Sequence, residues 1–132
     1  MLAPPTISYL TDIYFDFGVL KILPDLLKRN QLRRPLIITD RGLVQLGIID
    51  RLGIETAALF DRVETNPTEV MAIEALSLYR QSACDGIIAV GGGSPVDLAK
   101  CVAILVHHPP PLEQYAIGME AALKLQTIYP YA

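Results

Sequence analysis

The chain has 132 residues, of which 52% are hydrophobic, and its formal net charge at pH 7 is -3. This length suggests a single domain that can bury a sizeable core. The acidic balance and the lack of a basic run argue against nucleic-acid binding. The longest apolar run, residues 101–106, is far shorter than the roughly 20 residues of a membrane-spanning helix.

The compartment is predicted from the N-terminus and the cysteines. No basic segment followed by an apolar core opens the chain, so we expect no signal peptide. The two cysteines, Cys84 and Cys101, are typical of free, buried thiols in a reducing compartment. Together these features predict a cytoplasmic protein.

The predicted elements alternate between strands and helices along the chain. A first strand is expected at residues 13–17, with residues 6–10 as its possible pairing partner. A helix then follows Gly18, with its true start near Pro24. Further strands are expected at residues 35–39, 56–60 and 86–90. This order predicts an α/β fold of Rossmann type, a parallel sheet with flanking helices.

Three more helices follow those later strands. One is expected at residues 41–52, ended by Gly53 in the left-handed conformation. The next is expected to begin with Asn66 as its cap and Pro67 at its first position. The last extends to about Val106, and its apolar residues cover nearly all its faces. A helix of that kind is buried, so we expect a missing domain or a partner chain to cover its second side.

The most informative stretch, here called the glycine segment, consists of Gly91, Gly92, Gly93, Ser94, Pro95, Val96 and Asp97. Bare backbone at a helix N-terminus favours a phosphate ligand. Ser94, Pro95 and Asp97 are expected at the cap, first and third positions, with Asp97 reaching back as in a capping box. The alternative is a tight turn without a ligand, but three glycines cost more conformational entropy than capping requires. The segment matches neither a P-loop nor the Gly-x-Gly-x-x-Gly fingerprint.

Asp40 directly follows the predicted strand at residues 35–39. An acid at this place in a nucleotide-binding fold accepts a hydrogen bond from the adenosine ribose and repels the 2′-phosphate of NADP. The alternative is that Asp40 only caps the helix that begins at Arg41. The residues alone leave both interpretations open.

The glycine segment and the following Lys100 resemble the glycine-serine motif of the iron-containing alcohol dehydrogenases. Two other stretches resemble segments of that family in the same order: Ile38, Thr39, Asp40, Arg41 and Gly42, and then Asn66, Pro67 and Thr68. Phe17 and Gly18 resemble its opening segment more weakly. The resemblance covers about residues 14–115. It implies the N-terminal domain of the dehydroquinate synthase-like, iron-containing alcohol dehydrogenase fold.

The resemblance also implies a function, the interconversion of a small alcohol and an aldehyde or ketone with hydride transfer to or from NAD. NAD is expected over NADP because Asp40 resembles the family's cofactor selector. The implied cofactor-binding residues are Asp40, Asn66, Gly92, Gly93, Ser94, Pro95 and Asp97. In the family, a divalent metal such as iron or zinc polarises the substrate oxygen, and its ligands belong to a helical second half.

Neither a metal site nor a catalytic residue is expected in this chain. Its only histidines, His107 and His108, are adjacent and face different ways on a helix. Residues 1–108 are therefore expected to form an NAD-binding domain, and residues 109–132 a tail or linker toward an absent helical metal-binding domain.

Several hypotheses remain open at this point. The chain is the nucleotide-binding part of a dehydrogenase, a non-catalytic nucleotide-binding fragment, or a separately encoded subunit that needs a metal-binding partner. A glycerol dehydrogenase-like member is a further alternative. We also expect a homo-oligomer, or association through an exposed apolar face.

Overall fold

The computed structural model describes residues 13–115, which form a parallel sheet with helices on both faces. Its strands are β1 (Pro35–Ile38), β2 (Ala58–Phe60) and β3 (Gly86–Ala89). Its α-helices are α1 (Leu23–Arg29), α2 (Arg41–Gln45), α3 (Glu69–Gln81) and α4 (Gly93–His107). Short 3-10 helices lie at Val19–Ile22, Asp50–Leu52 and Leu112–Tyr115.

The central strand of the described sheet is β1, in the order β2-β1-β3. Both pairings are parallel, and Ile37 of β1 is aligned with Leu59 of β2 and with Ile88 of β3. The chain passes from β1 through α2 to β2, then crosses through α3 to β3 on the other side of β1. Such crossovers are what parallel neighbours require. The predicted α/β, Rossmann-like class is confirmed.

Each face of the sheet carries its own apolar core. On one face, side chains of all three strands pack against α3 and α4, among them Leu36, Ile38, Phe60, Ile87, Ala72, Leu98 and Val102. On the other face lie Ile37, Ile88, Leu23, Leu27 and Leu52. Successive strand residues point to opposite faces. A strand that is covered on both faces is therefore apolar throughout, which is why β1 is buried at every position.

Polar contacts join the beginnings of β1 and β3. The Asp85 carboxylate accepts hydrogen bonds from the backbone N–H groups of Arg33 and Arg34, at 2.9 and 2.8 Å. The Arg34 guanidinium donates to the carbonyl oxygens of Ala83 and Ser82, just after α3. These contacts hold the end of α3 against the start of the central strand.

The prediction of a strand at residues 13–17 is wrong. Residues 13–15 have no regular structure, and the Phe15 and Phe17 side chains are fully exposed. A strand needs a neighbour to pair with and a face to bury, and neither is present here among the described residues. Its expected partner, residues 6–10, lies outside them.

The helix predicted at residues 41–52 is broken into two pieces. After α2 ends at Gln45, Gly47 adopts a φ of 73°, and the 3-10 helix Asp50–Leu52 follows. Only Leu52 is buried in these two pieces, so little packing would support a longer helix. Two details are confirmed: Gly53 ends the stretch with a φ of 66°, and Pro24 lies in the first turn of α1.

The strand expected at residues 56–60 is shorter than predicted, because it begins at Ala58.

Helix α4 is covered by the sheet and also by α3, which corrects the expectation that its second side would be covered only by a missing domain or a partner chain. Its buried residues are Pro95, Leu98, Ala99, Val102, Ala103 and Leu105. These pack between the sheet and α3, while Val96 is 36% exposed and Ile104 is half-buried. In residues 13–115, every helix is too short or too polar to cross a membrane.

Candidate nucleotide-binding site

The carboxyl ends of the three strands meet at one edge of the sheet. Asp40 lies just beyond β1, Asn66 lies between β2 and α3, and the glycine segment follows β3. The segment that follows β1 packs, through Leu52, on the same face of the sheet as α1. The helix that follows β3, α4, packs on the opposite face. Between two such neighbouring strands a crevice opens, and α/β proteins bind ligands there.

Asp40 is the N-cap of α2, as predicted by the alternative in which it caps the helix that begins at Arg41. Its Oδ1 atom accepts a hydrogen bond from the Leu43 N–H group at 2.9 Å. Its Oδ2 atom makes no hydrogen bond with the described residues and lies 3.7 Å from where a Cβ on Gly91 would be. One side chain therefore serves the cap and still turns a second acceptor toward the glycine segment.

The three glycines have different surroundings. Gly91 has a φ of +135°, and a Cβ there would lie 2.9 Å from Cγ of Pro95 and 3.2 Å from Cδ1 of Leu43. Residues other than glycine rarely adopt that backbone conformation. A Cβ on Gly92 or Gly93 would meet no atom within 4 Å. The fold thus favours glycine at the first position, which was not among the predicted cofactor-binding residues, while the other two glycines border open space.

Helix α4 begins earlier than predicted. Gly92 is its cap and Gly93 its first residue, and no side chain caps it. Ser94, Pro95 and Asp97 are consequently its second, third and fifth residues, so the predicted cap and capping box are wrong. Gly92 and Gly93 have no side chain to shield the first turn of this 15-residue helix. Its free N–H groups can therefore meet a ligand.

Helix α3 is capped by Thr68 rather than by Asn66. The Thr68 hydroxyl oxygen accepts a hydrogen bond from the Met71 N–H group at 3.2 Å. Asn66 is exposed, has a φ of 60°, and makes no side-chain hydrogen bond with residues 13–115. Asparagine tolerates this left-handed backbone better than most residues. Its amide is therefore not committed to the helix start.

Arg62 is another charged residue at this edge of the sheet. Its backbone pairs with that of Asp40 in an isolated antiparallel bridge. Its guanidinium lies 5.1 Å from the centre of the Phe60 ring and 3.7 Å from the Glu74 carboxylate on α3. Because both partners are exposed, that ion pair contributes about 1 kcal/mol or less. These contacts direct the Arg62 side chain toward α3 rather than toward the glycine segment.

Neither cysteine is an activated nucleophile. Both are free and half-buried. Burial raises the pKa of the Cys101 thiol, and the carboxylates of Asp97 and Glu69 raise it further. Burial also raises the pKa of the Cys84 thiol. A thiol with a raised pKa is mostly protonated and unreactive at neutral pH.

The described residues do not fit a metal ion. No group of three or more His, Cys, Asp or Glu side chains among residues 13–115 is arranged to hold one. His107 ends α4 and His108 follows it, about 20 Å from the glycine segment at the rise of an α-helix. Neither histidine contributes to the candidate site.

The sequence is similar to those of known proteins. The sequence model of the iron-containing alcohol dehydrogenases matches residues 11–130. The chain is 46% identical over 114 residues to 4-hydroxybutyrate dehydrogenase from Cupriavidus necator. It is 36% identical over 103 residues to lactaldehyde reductase from Escherichia coli (strain K12). The two matches cover 83% and 73% of this chain, but 30% and 27% of the relatives.

Solved structures share the fold. A crystal structure of 1,3-propanediol oxidoreductase matches with a TM-score of 0.66 at 33% identity, covering 75% of this chain and 28% of that one. Sulfoacetaldehyde reductase from Bifidobacterium kashiwanohense, in complex with NAD+, matches with a TM-score of 0.69, covering 76% and 28%. At 22% identity, the latter shows the fold alone. The protein belongs to the iron-containing alcohol dehydrogenase family.

Proposed function

We propose that this chain forms the NAD-binding part of an alcohol dehydrogenase, in which hydride passes between NAD and a small alcohol or its carbonyl product. The observation that carries this proposal is that the Oδ2 atom of Asp40 faces Gly91 across the ends of β1 and β3, 3.7 Å from where a Cβ on Gly91 would be. The Asp40 carboxylate, which can accept a hydrogen bond from a ribose, therefore lies close to the N-terminus of α4, which can bind a pyrophosphate. The names of the relatives, dehydrogenases and reductases, support the reaction class.

Each predicted residue has a place in this proposal. The pyrophosphate lies at the start of α4, where Gly92 and Gly93 leave room and the N–H groups of Gly93 and Ser94 point to it. The ribose 2′-hydroxyl donates to Oδ2 of Asp40. Asn66 offers its uncommitted amide from the loop after β2. Pro95 is buried and supports the turn.

Asp97 carries a negative charge and is exposed. Because that charge would oppose a phosphate, we place Asp97 beyond the pyrophosphate, toward the reacting end of the cofactor. NAD supplies the hydride chemistry when it is bound, while the protein binds and orients it.

A metal ion is proposed to act outside the described residues, because residues 13–115 do not fit one. A helical domain, or a partner subunit, would hold it beside the nicotinamide and complete the substrate pocket. In this proposal, residues 1–108 are the NAD-binding domain and residues 109–132 lead toward the metal-binding part. The chain spans 30% or less of the two sequence relatives described above, so the reaction itself is proposed for the assembled enzyme.

The test is a titration of the purified 132-residue chain with NADH and NADPH by isothermal calorimetry, beside a Gly93→Val variant. A Cβ built on Gly93 meets no atom of the described residues within 4 Å, apart from its neighbours along the chain, so we expect the substitution to spare folding and to obstruct the ligand. Ser77→Val is the matched control, because it places the same residue on an exposed part of α3.

We expect Gly93→Val to weaken NADH binding by about tenfold or more, the effect of losing a charge-assisted hydrogen bond. Thermal melting should show about the same stability loss in both variants. If wild type shows no saturable binding of either nucleotide, the proposed function is wrong. Equal binding by Gly93→Val and wild type would remove the glycine segment from the site.

A further inference from the structure

We propose that Gly91 is a positioning residue: it sets the spacing between the Asp40 carboxylate and the start of α4, and thereby helps to select NAD over NADP. This inference rests on the proposed function, because it concerns the same nucleotide site. Gly91 is not proposed to contact the nucleotide. It would act through Asp40.

Gly91 lies where two elements come into contact. A Cβ built on it would be 2.9 Å from Cγ of Pro95 in α4, 3.2 Å from Cδ1 of Leu43 in α2, and 3.7 Å from Oδ2 of Asp40. A Cβ contact under 3.0 Å is essentially never seen in proteins, so a methyl group here must displace a neighbour. The absence of a side chain at this position therefore lets the starts of α2 and α4 approach each other.

Because the nearest atom, Cγ of Pro95, cannot move easily, the methyl group should be pushed toward Leu43, whose Cδ1 atom lies 3.2 Å away, and displace it. Pro95 is buried and its ring is held by the backbone of α4. Leu43 is half-buried, has a flexible side chain, and belongs to a helix of only five residues. Its N–H group is also the donor that holds Oδ1 of Asp40, at 2.9 Å. A methyl group on Gly91 should thus move the Asp40 carboxylate through Leu43, as well as crowd it directly.

A displaced carboxylate would change selectivity rather than affinity alone. The pyrophosphate and the ribose are covalently joined, so a nucleotide held at the start of α4 presents its 2′ position at a set distance. There the carboxylate accepts from the hydroxyl of NAD and repels the phosphate of NADP. Gly92 lacks such contacts, and a side chain on it would obstruct the pyrophosphate that both nucleotides share.

The experiment compares Gly91→Ala with Gly92→Ala in the full 132-residue chain, using calorimetric dissociation constants for NADH and NADPH. In Gly91→Ala, we expect the NADPH-to-NADH ratio of dissociation constants to fall by about tenfold, the effect of losing one charge-assisted hydrogen bond. In Gly92→Ala, both nucleotides should bind more weakly by about the same factor, so the ratio should not change. Without nucleotide, the Leu43 amide resonance should shift in Gly91→Ala and not in Gly92→Ala.

A second substitution tests the route through Leu43. Leu43→Ala in the Gly91→Ala background removes the contact of the methyl group with Leu43, though not its contact with Pro95, and should restore part of the ratio. Leu43→Ala alone leaves a gap beside Asp40 and should lower the ratio, which is the coupling expected of residues in contact. If Gly91→Ala does not fold, Leu43→Ala alone provides the test.

Three results would overturn the inference while leaving the proposed function intact. They are an unchanged ratio in folded Gly91→Ala, an equal change of the ratio in Gly92→Ala, and, where Gly91→Ala is unfolded, an unchanged ratio in Leu43→Ala. If the wild-type chain binds neither nucleotide, the proposed function fails, and this inference fails with it.

Discussion

The Thr39 hydroxyl donates a hydrogen bond to the carbonyl oxygen of Val90 at 2.9 Å, and so joins the ends of β1 and β3 below the candidate site. Thr39 is completely buried. Its backbone N–H group also donates to the carbonyl oxygen of Phe60 at the end of β2, at 2.9 Å. One residue directly after the central strand thus links the ends of all three described strands, at the edge where Asp40 and the glycine segment meet.

Replacing Thr39 with valine should destabilise the fold. Valine has nearly the same shape, but it leaves the Val90 carbonyl oxygen without this donor. We expect the free energy of unfolding to fall by about 1 kcal/mol, the net contribution of an intramolecular hydrogen bond. Urea denaturation measures the change. Thr39→Ser is the control, because it keeps the hydroxyl group. A larger decrease in the free energy of unfolding for Thr39→Ser than for Thr39→Val would contradict this explanation.

Replacing Asp40 with asparagine should separate its two roles. Asparagine caps helices about as well as aspartate, so the melting temperature should change little. The charge that repels a 2′-phosphate is lost, and the preference for NADH over NADPH should shrink by about tenfold. Calorimetric titration of both nucleotides gives the ratio. An unchanged ratio with an unchanged melting temperature would mean that Asp40 is only a helix cap.

Alkaline pH should destabilise the protein through its half-buried thiols. The pKa of Cys101 is raised above its ordinary value of 9.0, chiefly by burial. The unfolded chain therefore loses this proton first as the pH rises. The stabilising contribution is complete below pH 9.0 and is lost as the pH passes through the raised pKa of the folded state.

The measurement is the free energy of unfolding from neutral to strongly alkaline pH, in reducing buffer. Wild type should lose stability with increasing pH more steeply than Cys101→Ala, whatever the absolute stability of the variant. Parallel curves for the two proteins would show that Cys101 does not contribute to the pH dependence.

The 132-residue chain alone should show no alcohol dehydrogenase activity. Polarising the substrate oxygen requires a metal ion held by about three protein ligands, and the described residues do not provide such a group. The assay adds NAD, iron or zinc salts and small primary alcohols to the purified chain and follows NADH formation by absorbance. Metal-dependent turnover by a monodisperse monomer would contradict this prediction and show that a catalytic site had been missed.

The residue pattern by itself determined the architecture of this protein. Strands such as β1 and β3 are buried on both faces, and only continuous apolar runs satisfy that burial, so they were recognisable without coordinates. The glycine segment was recognisable for a related reason, because three glycines before a helix leave its N–H groups uncovered. The family followed from these same residues, and the match to residues 11–130 confirms it.

Only the tertiary structure decided where the elements begin and what holds the site together. The N-caps of α3 and α4, Thr68 and Gly92, depend on backbone geometry that several nearby residues could have satisfied equally well. The exposed stretch at residues 13–17 has the pattern of a strand but, within the described part of the chain, no neighbour. The role of Gly91 depends on Leu43 and Asp40, roughly fifty positions earlier in the chain. Contacts between residues so distant in sequence arise from packing, which local pattern and propensity do not encode.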